Sequence, residues 1–218
     1  MNRLADFFYN GSHRVCQKWD HYFEIYEECF AKFVRKDGLR FLEIGVSQGG
    51  SLQLWRDYFG PTATIVGVDI EPTSTRFNEP EHNTFVRVGS QSDPAFLEQV
   101  AAEFGPFDII LDDGGHTMEQ QITSFETLFK HLKPVAVYMV EDCHTSYHTQ
   151  FGGGLRQPGT FIEFAKVKID EVQGFHIHSD PAMITSVTHR VRSIRYYDSI
   201  VAFCLEPIAP PSMVQTGR

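Results

Sequence analysis

The chain is poor in the features that mark several common classes of protein. Its four cysteines, Cys16, Cys29, Cys143 and Cys204, form no C-x-x-C pair. That excludes a zinc ribbon and a thioredoxin-like motif, and leaves free thiols in a reducing compartment as the direct reading. No apolar run approaches the roughly 18 residues of a membrane span. The N-terminus lacks the apolar stretch of a secretory signal. Clustered Lys and Arg are also missing, and the formal net charge is −9 over 218 residues. Wrapping a nucleic-acid backbone is therefore not expected. There is no internal repeat and no low-complexity segment. What remains is ordinary globular composition, 42% hydrophobic and 22% charged, in a chain long enough to bury a core without staples. A cytoplasmic enzyme, with no nucleic-acid or membrane partner and with acidity that suits a divalent cation, is the expectation.

Residues 20–36 carry Tyr22, Phe23, Tyr26, Cys29, Phe30 and Phe33 at helical spacing, a single apolar stripe packed on the domain. A regular alternation then begins. Strands are predicted at 39–45, 63–70, 83–90, 107–113 and 135–142. Helices are predicted from Ser51 to Phe59, after Ser92, and over 118–132, the last with Thr117 and Gln120 as a capping box. The strands are continuous apolar runs, as in strands buried on both faces. The whole predicts an α/β, doubly wound, Rossmann-like sheet that is mostly parallel. A glycine-rich loop (151–160), a helix or helix plus turn, and a hairpin over 191–206 around Tyr197–Asp198–Ser199 follow. Three parts are expected: an N-terminal helical segment (1–38), the main domain (39–206) and a flexible tail (207–218).

In such a sheet, ligands bind beyond the carboxyl ends of the strands. After the first strand stands Glu43-Ile44-Gly45-Val46-Ser47-Gln48-Gly49-Gly50. The dinucleotide pattern G-x-G-x-x-G is absent, because its second glycine falls on Ser47. Glycines here let backbone N–H groups approach a ligand. After the second strand, Asp69 is placed to accept from ribose hydroxyls. After the third, Gln91 and Ser92 are placed to reach an adenine edge. After the fourth and fifth come Asp112-Asp113 and Glu141-Asp142, on neighbouring strands about 5 Å apart. Carboxylates converging at that range repel unless protonated or neutralised, and a hard cation such as Mg²⁺ or Mn²⁺ neutralises them.

FLEIGVSQGGS and GVDI resemble the first two motifs of class I S-adenosylmethionine-dependent methyltransferases. LDDGGHTMEQQITSFETLFKHLKP, YMVEDCHTSY and IRYYDSIVAF resemble more narrowly the macrocin O-methyltransferase family, whose members methylate sugar hydroxyls and use Mg²⁺. The resemblance spans about residues 39–206. It implies a seven-stranded sheet with the last strand antiparallel. It also implies that Gly45 and Gly49 line the methionine part of S-adenosylmethionine, that Glu43 orients their loop, and that Asp69 holds the ribose. Gln91 and Ser92 then lie near the adenine and Asp112 faces the cofactor side. Asp113, Glu141 and Asp142 become the Mg²⁺ ligands.

A sugar hydroxyl is a poor nucleophile at neutral pH, so a metal and a base belong beside it. His116, three residues after Asp113 in the family's D-x-x-H position, is the first candidate base, and His144 the second. Tyr147, Phe151 and Leu155 are candidates for the acceptor pocket. The acceptor implied is a glycoside or oligosaccharide. Catechol or diol O-methylation, metal-dependent hydroxylation and cofactor binding without catalysis are the alternatives. A homo-oligomer is the family's suggestion, and the aromatic N-terminal segment is placed to cover the site or a partner subunit.

Overall fold

The computed structural model describes residues 3–11 and 13–217. Its sheet contains β1 (Arg40–Ile44), β2 (Thr64–Asp69), β3 (Thr84–Val88), β4 (Phe107–Asp112), β5 (Leu132–Val140), β6 (Val191–Tyr197) and β7 (Ile200–Leu205). The strand order is β3-β2-β1-β4-β5-β7-β6, and β7 is antiparallel to both of its neighbours. The hairpin expected over 191–206 is β6 and β7. The helices are α1 (Arg3–Asn10), α2 (Tyr22–Phe30), α3 (Gly50–Phe59), α4 (Pro94–Phe104), α5 (Met118–Leu128), α6 (Phe161–Val172) and α7 (Ser186–Arg190).

Successive side chains of a strand point to opposite faces, and the sheet divides the core accordingly. Phe41, Ile109, Leu111, Val137 and Met139 join α2 and α3 on one face; Leu42, Ile44, Ile110, Tyr138 and Val140 join α4, α5 and α6 on the other. Chain direction across the sheet reverses between β1 and β4. That is the topological switch point, where the crossover helices diverge and a crevice opens. Here Ile44 pairs with Val68 and Asp112, and Asp112 pairs with Val140, so four strands end at one level.

The predicted helix over 20–36 is α2 followed by a 3₁₀ turn at Ala31–Phe33. The helix expected to reach residue 132 ends at Leu128, with a 3₁₀ turn at Phe129–His131, and Leu132 already belongs to β5. The β4–β5 register shifts between Phe107 and Ile109, opposite the segment that holds Pro134. A proline has no N–H for the ladder, so it sits at such an irregularity. The capping box of Thr117 and Gln120 is present as expected. Residues 206–217 have no regular structure.

Candidate active site

The ladder continues one step past the strand ends. Gly45 N donates to Val68 O, Asp113 N to Ile44 O and Glu141 N to Asp112 O, at 2.8–2.9 Å. These bonds lock the post-strand loops of β1, β4 and β5 together. Gly45 has φ +100°, and a Cβ there would stand 2.0 Å from Asp113 O. Only glycine lets these two loops approach so closely.

Beside the Gly45–Asp113 contact lies a cavity of about 300 Å³, lined by Gly45, Ser47, Asp69, Ser90 and Gly114 among others. A second cavity of about 300 Å³ shares Gly45, Ser47, Asp113 and Gly114 with it and is lined also by Lys18, Gln48, Gly50, Ser51 and His116. Asp69 Oδ2 accepts from the N–H groups of Val46 and Ser47 at 2.9 and 2.8 Å, and its Oδ1 accepts from Glu71 N at 2.8 Å. The acid at the β2 tip therefore shapes the glycine loop while facing the cavity. Gly49, at φ +75°, leads into α3. Glu43 is fully buried; its carboxylate accepts from Ser51 Oγ (2.7 Å) and Trp55 Nε1 (3.0 Å), which ties β1 to α3. Burial pushes its pKa up to about 7.

Three sequence expectations change here. Gln91 lines the cavity, but its side chain turns inward: Nε2 donates to Asp112 at 3.0 Å and Oε1 accepts from Gly115 N at 2.7 Å. It is a brace for the loop after β4, because a buried Asp112 needs donors. Ser92 bonds Ser90 Oγ through its backbone, and Ser90 is the serine on the cavity wall. Asp112 is fully buried against Gln91 and Ser124 rather than open to a cofactor, and burial pushes its pKa up to about 6.

Asp113, His116 and Asp142 come together. One donor atom from each lies within 4.8 Å of the others. His116 Nε2 is 3.4 Å from Asp142 Oδ2 and 4.0 Å from Asp113 Oδ1, while its Nδ1 is buried without a hydrogen-bond partner. His116 and Asp142 hold left-handed backbone, φ +57° and +52°. Such strain in non-glycine residues concentrates at functional sites. Two carboxylates and an imidazole at a half-exposed site suit a hard or borderline divalent ion with room for water, so the donors fit a bound metal.

Glu141, expected as a ligand, is not in this group. It is 1% exposed; Tyr26 Oη donates to its Oε1 at 2.5 Å and Lys18 Nζ to its Oε2 at 2.9 Å. Burial first, and then the charge of Asp113, pushes its pKa well above the ordinary carboxylate range. His144 stands further out, its Nδ1 2.5 Å from Ser199 Oγ and 3.9 Å from Asp142 Oδ1. Phe151 packs, partly buried, against the core, whereas Tyr147 and Leu155 are exposed, Leu155 at 79%.

Three residues from the segment before β1 join the carboxylates: Lys18, for which the sequence suggests no role, and Tyr22 and Tyr26, expected there only as an apolar or covering face. Lys18 reaches Asp113, Glu141 and Glu43; Tyr22 Oη donates to Asp142 Oδ1 at 2.6 Å; Tyr26 holds Glu141. The tyrosines carried a signal. Two phenols on a buried stripe must each find a polar partner, and they are four residues apart on one helical face. Lys18, in irregular chain, carried none.

Residues 42–143 match a family described as a methyltransferase domain, and the glycine tip at the switch point and the acidic tips of β4 and the loop after β5 fall within that match. More narrowly, the chain is similar to O-methyltransferases of Streptomyces and Micromonospora. It is 35% identical over 182 residues to demethylmacrocin O-methyltransferase of Streptomyces fradiae, covering 78% of this chain and 45% of that one. It is 36% identical over 175 residues to mycinamicin VI 2''-O-methyltransferase of Micromonospora griseorubida, covering 74% and 42%. The MycE methyltransferase of the mycinamycin pathway, solved with Mg, SAH and mycinamycin VI, superposes with a TM-score of 0.80 at 30% identity, over 94% of this chain and 53% of that one. The chain thus spans about half the length of the relatives it matches.

Proposed function

We propose that the protein transfers a methyl group from S-adenosylmethionine to a sugar hydroxyl of a glycoside or oligosaccharide, with Mg²⁺ bound at the tips of β4 and β5. The observation that carries this reading is the meeting of Asp113, His116 and Asp142 at the edge of the cavity pair formed around Gly45. The named activities of the sugar O-methyltransferase relatives support it.

The nucleoside belongs in the cavity bounded by Asp69, Ser90 and Gly114, and the methionine arm passes Gly45 toward the α3 N-terminus. Asp113 and Asp142 are the proposed metal ligands. Bound Mg²⁺ would supply positive charge that favours ionisation of the acceptor hydroxyl. His116 takes the hydroxyl proton as the oxygen attacks the methyl carbon; the carbon–oxygen bond forms, the carbon–sulfur bond breaks, and S-adenosylhomocysteine leaves. The carboxylate of Asp142, 3.4 Å from Nε2, stabilises the imidazolium that results. Tyr22 keeps that carboxylate in place. His144 is the reserve base, closer to solvent. Hydroxylation on a non-haem iron is disfavoured by the donor set, since a facial triad needs two His and one carboxylate.

The setting we propose is the cytoplasm, with a homo-oligomeric assembly and no nucleic-acid partner. The four free cysteines and the net charge of −9 support the compartment and the last point. No helix among the described residues is long and apolar enough to cross a membrane.

The test is calorimetric titration with S-adenosylhomocysteine, with and without Mg²⁺, followed by methyl transfer to a panel of glycosides. Cofactor binding with Mg²⁺-dependent methyl ether formation is expected. Absence of cofactor binding in both conditions would overturn the proposal.

A further inference from the structure

This inference rests on the reading that a divalent cation binds at the tips of β4 and β5. Lys18 reaches those tips from the irregular stretch before α2. Its side chain is 2% exposed, and its ammonium lies 2.5 Å from Asp113 Oδ2, 2.9 Å from Glu141 Oε2 and 3.9 Å from Glu43 Oε1. An ammonium has donors and no acceptor, so among these carboxylates it does electrostatically what a bound cation does. The other oxygen of Asp113 faces His116 at 4.0 Å. An ion held by Asp113 and Asp142 would therefore share Asp113 with the ammonium, and like charges sharing one carboxylate repel.

We propose that Lys18 is a built-in competitor of the divalent cation. It neutralises Asp113 and Glu141 while the ion is away and withdraws when the ion binds. Both oxygens of Asp113, together with Asp142, are offered to the ion only after that withdrawal. Lys18 thereby lowers the ion affinity of the site and keeps the ion-free protein from holding uncompensated buried carboxylates.

The surroundings allow the exchange. The cavity of about 300 Å³ lined by Cys16, Gln17, Lys18, Ser47 and His116 gives the side chain room to move. The stretch is anchored at both ends: Arg14 N donates to Gln53 Oε1 at 2.7 Å, and Tyr22 and Tyr26 hold Asp142 and Glu141. Between these anchors Val15 and Trp19 are exposed. Lys18 can leave the carboxylates while the anchors stay made.

The test is titration of the full chain with MgCl₂ by calorimetry, comparing the natural protein with Lys18→Met and Lys18→Arg. Lys18→Met is expected to bind Mg²⁺ about tenfold tighter or more, since the competing charge is gone. Lys18→Arg, which keeps the charge, is expected to bind no more tightly than the natural protein. Should Lys18→Met not fold without the ion, it is refolded in MgCl₂ and its melting temperature followed against ion concentration. A steeper rise than in the natural protein supports the competition. Unchanged or weaker Mg²⁺ binding by Lys18→Met, or Lys18→Arg binding as tightly as Lys18→Met, overturns the competition and leaves the proposed function standing. Absence of Mg²⁺ binding by all three proteins overturns both.

Discussion

At the scale of single residues, this protein buries acid beside the candidate site. Glu43 and Asp112 are fully enclosed, and their pKa values rise to about 7 and about 6. A raised carboxyl pKa means that the folded state binds its proton more tightly than the unfolded state does. The contribution of Glu43 to stability is therefore complete below the ordinary value of 4.5 and lost as pH rises through about 7. Its full size is of order 3 kcal/mol. Denaturant unfolding at a series of pH values should show stability falling across this window, and Glu43→Gln should flatten that part of the slope. Asp113 is exposed enough to meet a ligand and is bonded by Lys18. Asp113→Ala is expected to lower methyl transfer by about a hundredfold or more while S-adenosylhomocysteine binding is retained. Loss of cofactor binding without loss of Mg²⁺ binding would contradict the role given to Asp113.

At the scale of elements, the candidate site is shaped by how strand tips and loops are pinned. Gly45 carries φ +100° and lies against Asp113 O. Gly45→Ala combines left-handed strain with a backbone clash, so a loss of roughly 2–4 kcal/mol is expected. The same variant should bind S-adenosylhomocysteine weakly, because relief of the clash parts the β1 and β4 loops. Thermal melting and calorimetry on one sample check both outcomes. The loop after β4 is held from below by Gln91, from Thr145 Oγ1 to His116 O at 3.0 Å, and by the capping box that starts α5. Three separate restraints converge on four residues, which is what a left-handed His116 needs to persist.

At the scale of the whole molecule, the segment before β1 belongs to the same core as the sheet. Tyr22, Phe23, Tyr26, Phe30 and Phe33 are buried with Phe41, Trp55 and Phe59 in a cluster dominated by aromatic rings. Burying each such side chain is worth roughly 1.5–3 kcal/mol. Five together rival the 5–15 kcal/mol that holds a typical domain folded. A fragment of residues 39–218 is therefore expected to aggregate or remain unfolded, which far-UV circular dichroism and gel filtration would show. A well-folded, monodisperse fragment would mean that the segment is a removable cover.

Local pattern determined much of this protein. Continuous apolar runs such as Ile109–Leu111 mark buried strands because both faces of the sheet are covered. Thr117 and Gln120 mark a helix start because the bonds they make are within reach along the chain. Gly45, Asp69, Asp113 and His116 were legible as candidates because strand tips are where an α/β sheet places its ligands. Burial and partner choice were not legible, since they depend on residues distant in sequence. Gln91 turns inward because Asp112 is buried beside it, and Glu141 is taken by Tyr26 and by Lys18, 123 residues away. Only the tertiary structure brings that lysine to the carboxylates, because no periodic pattern in irregular chain records where a charge will be neutralised.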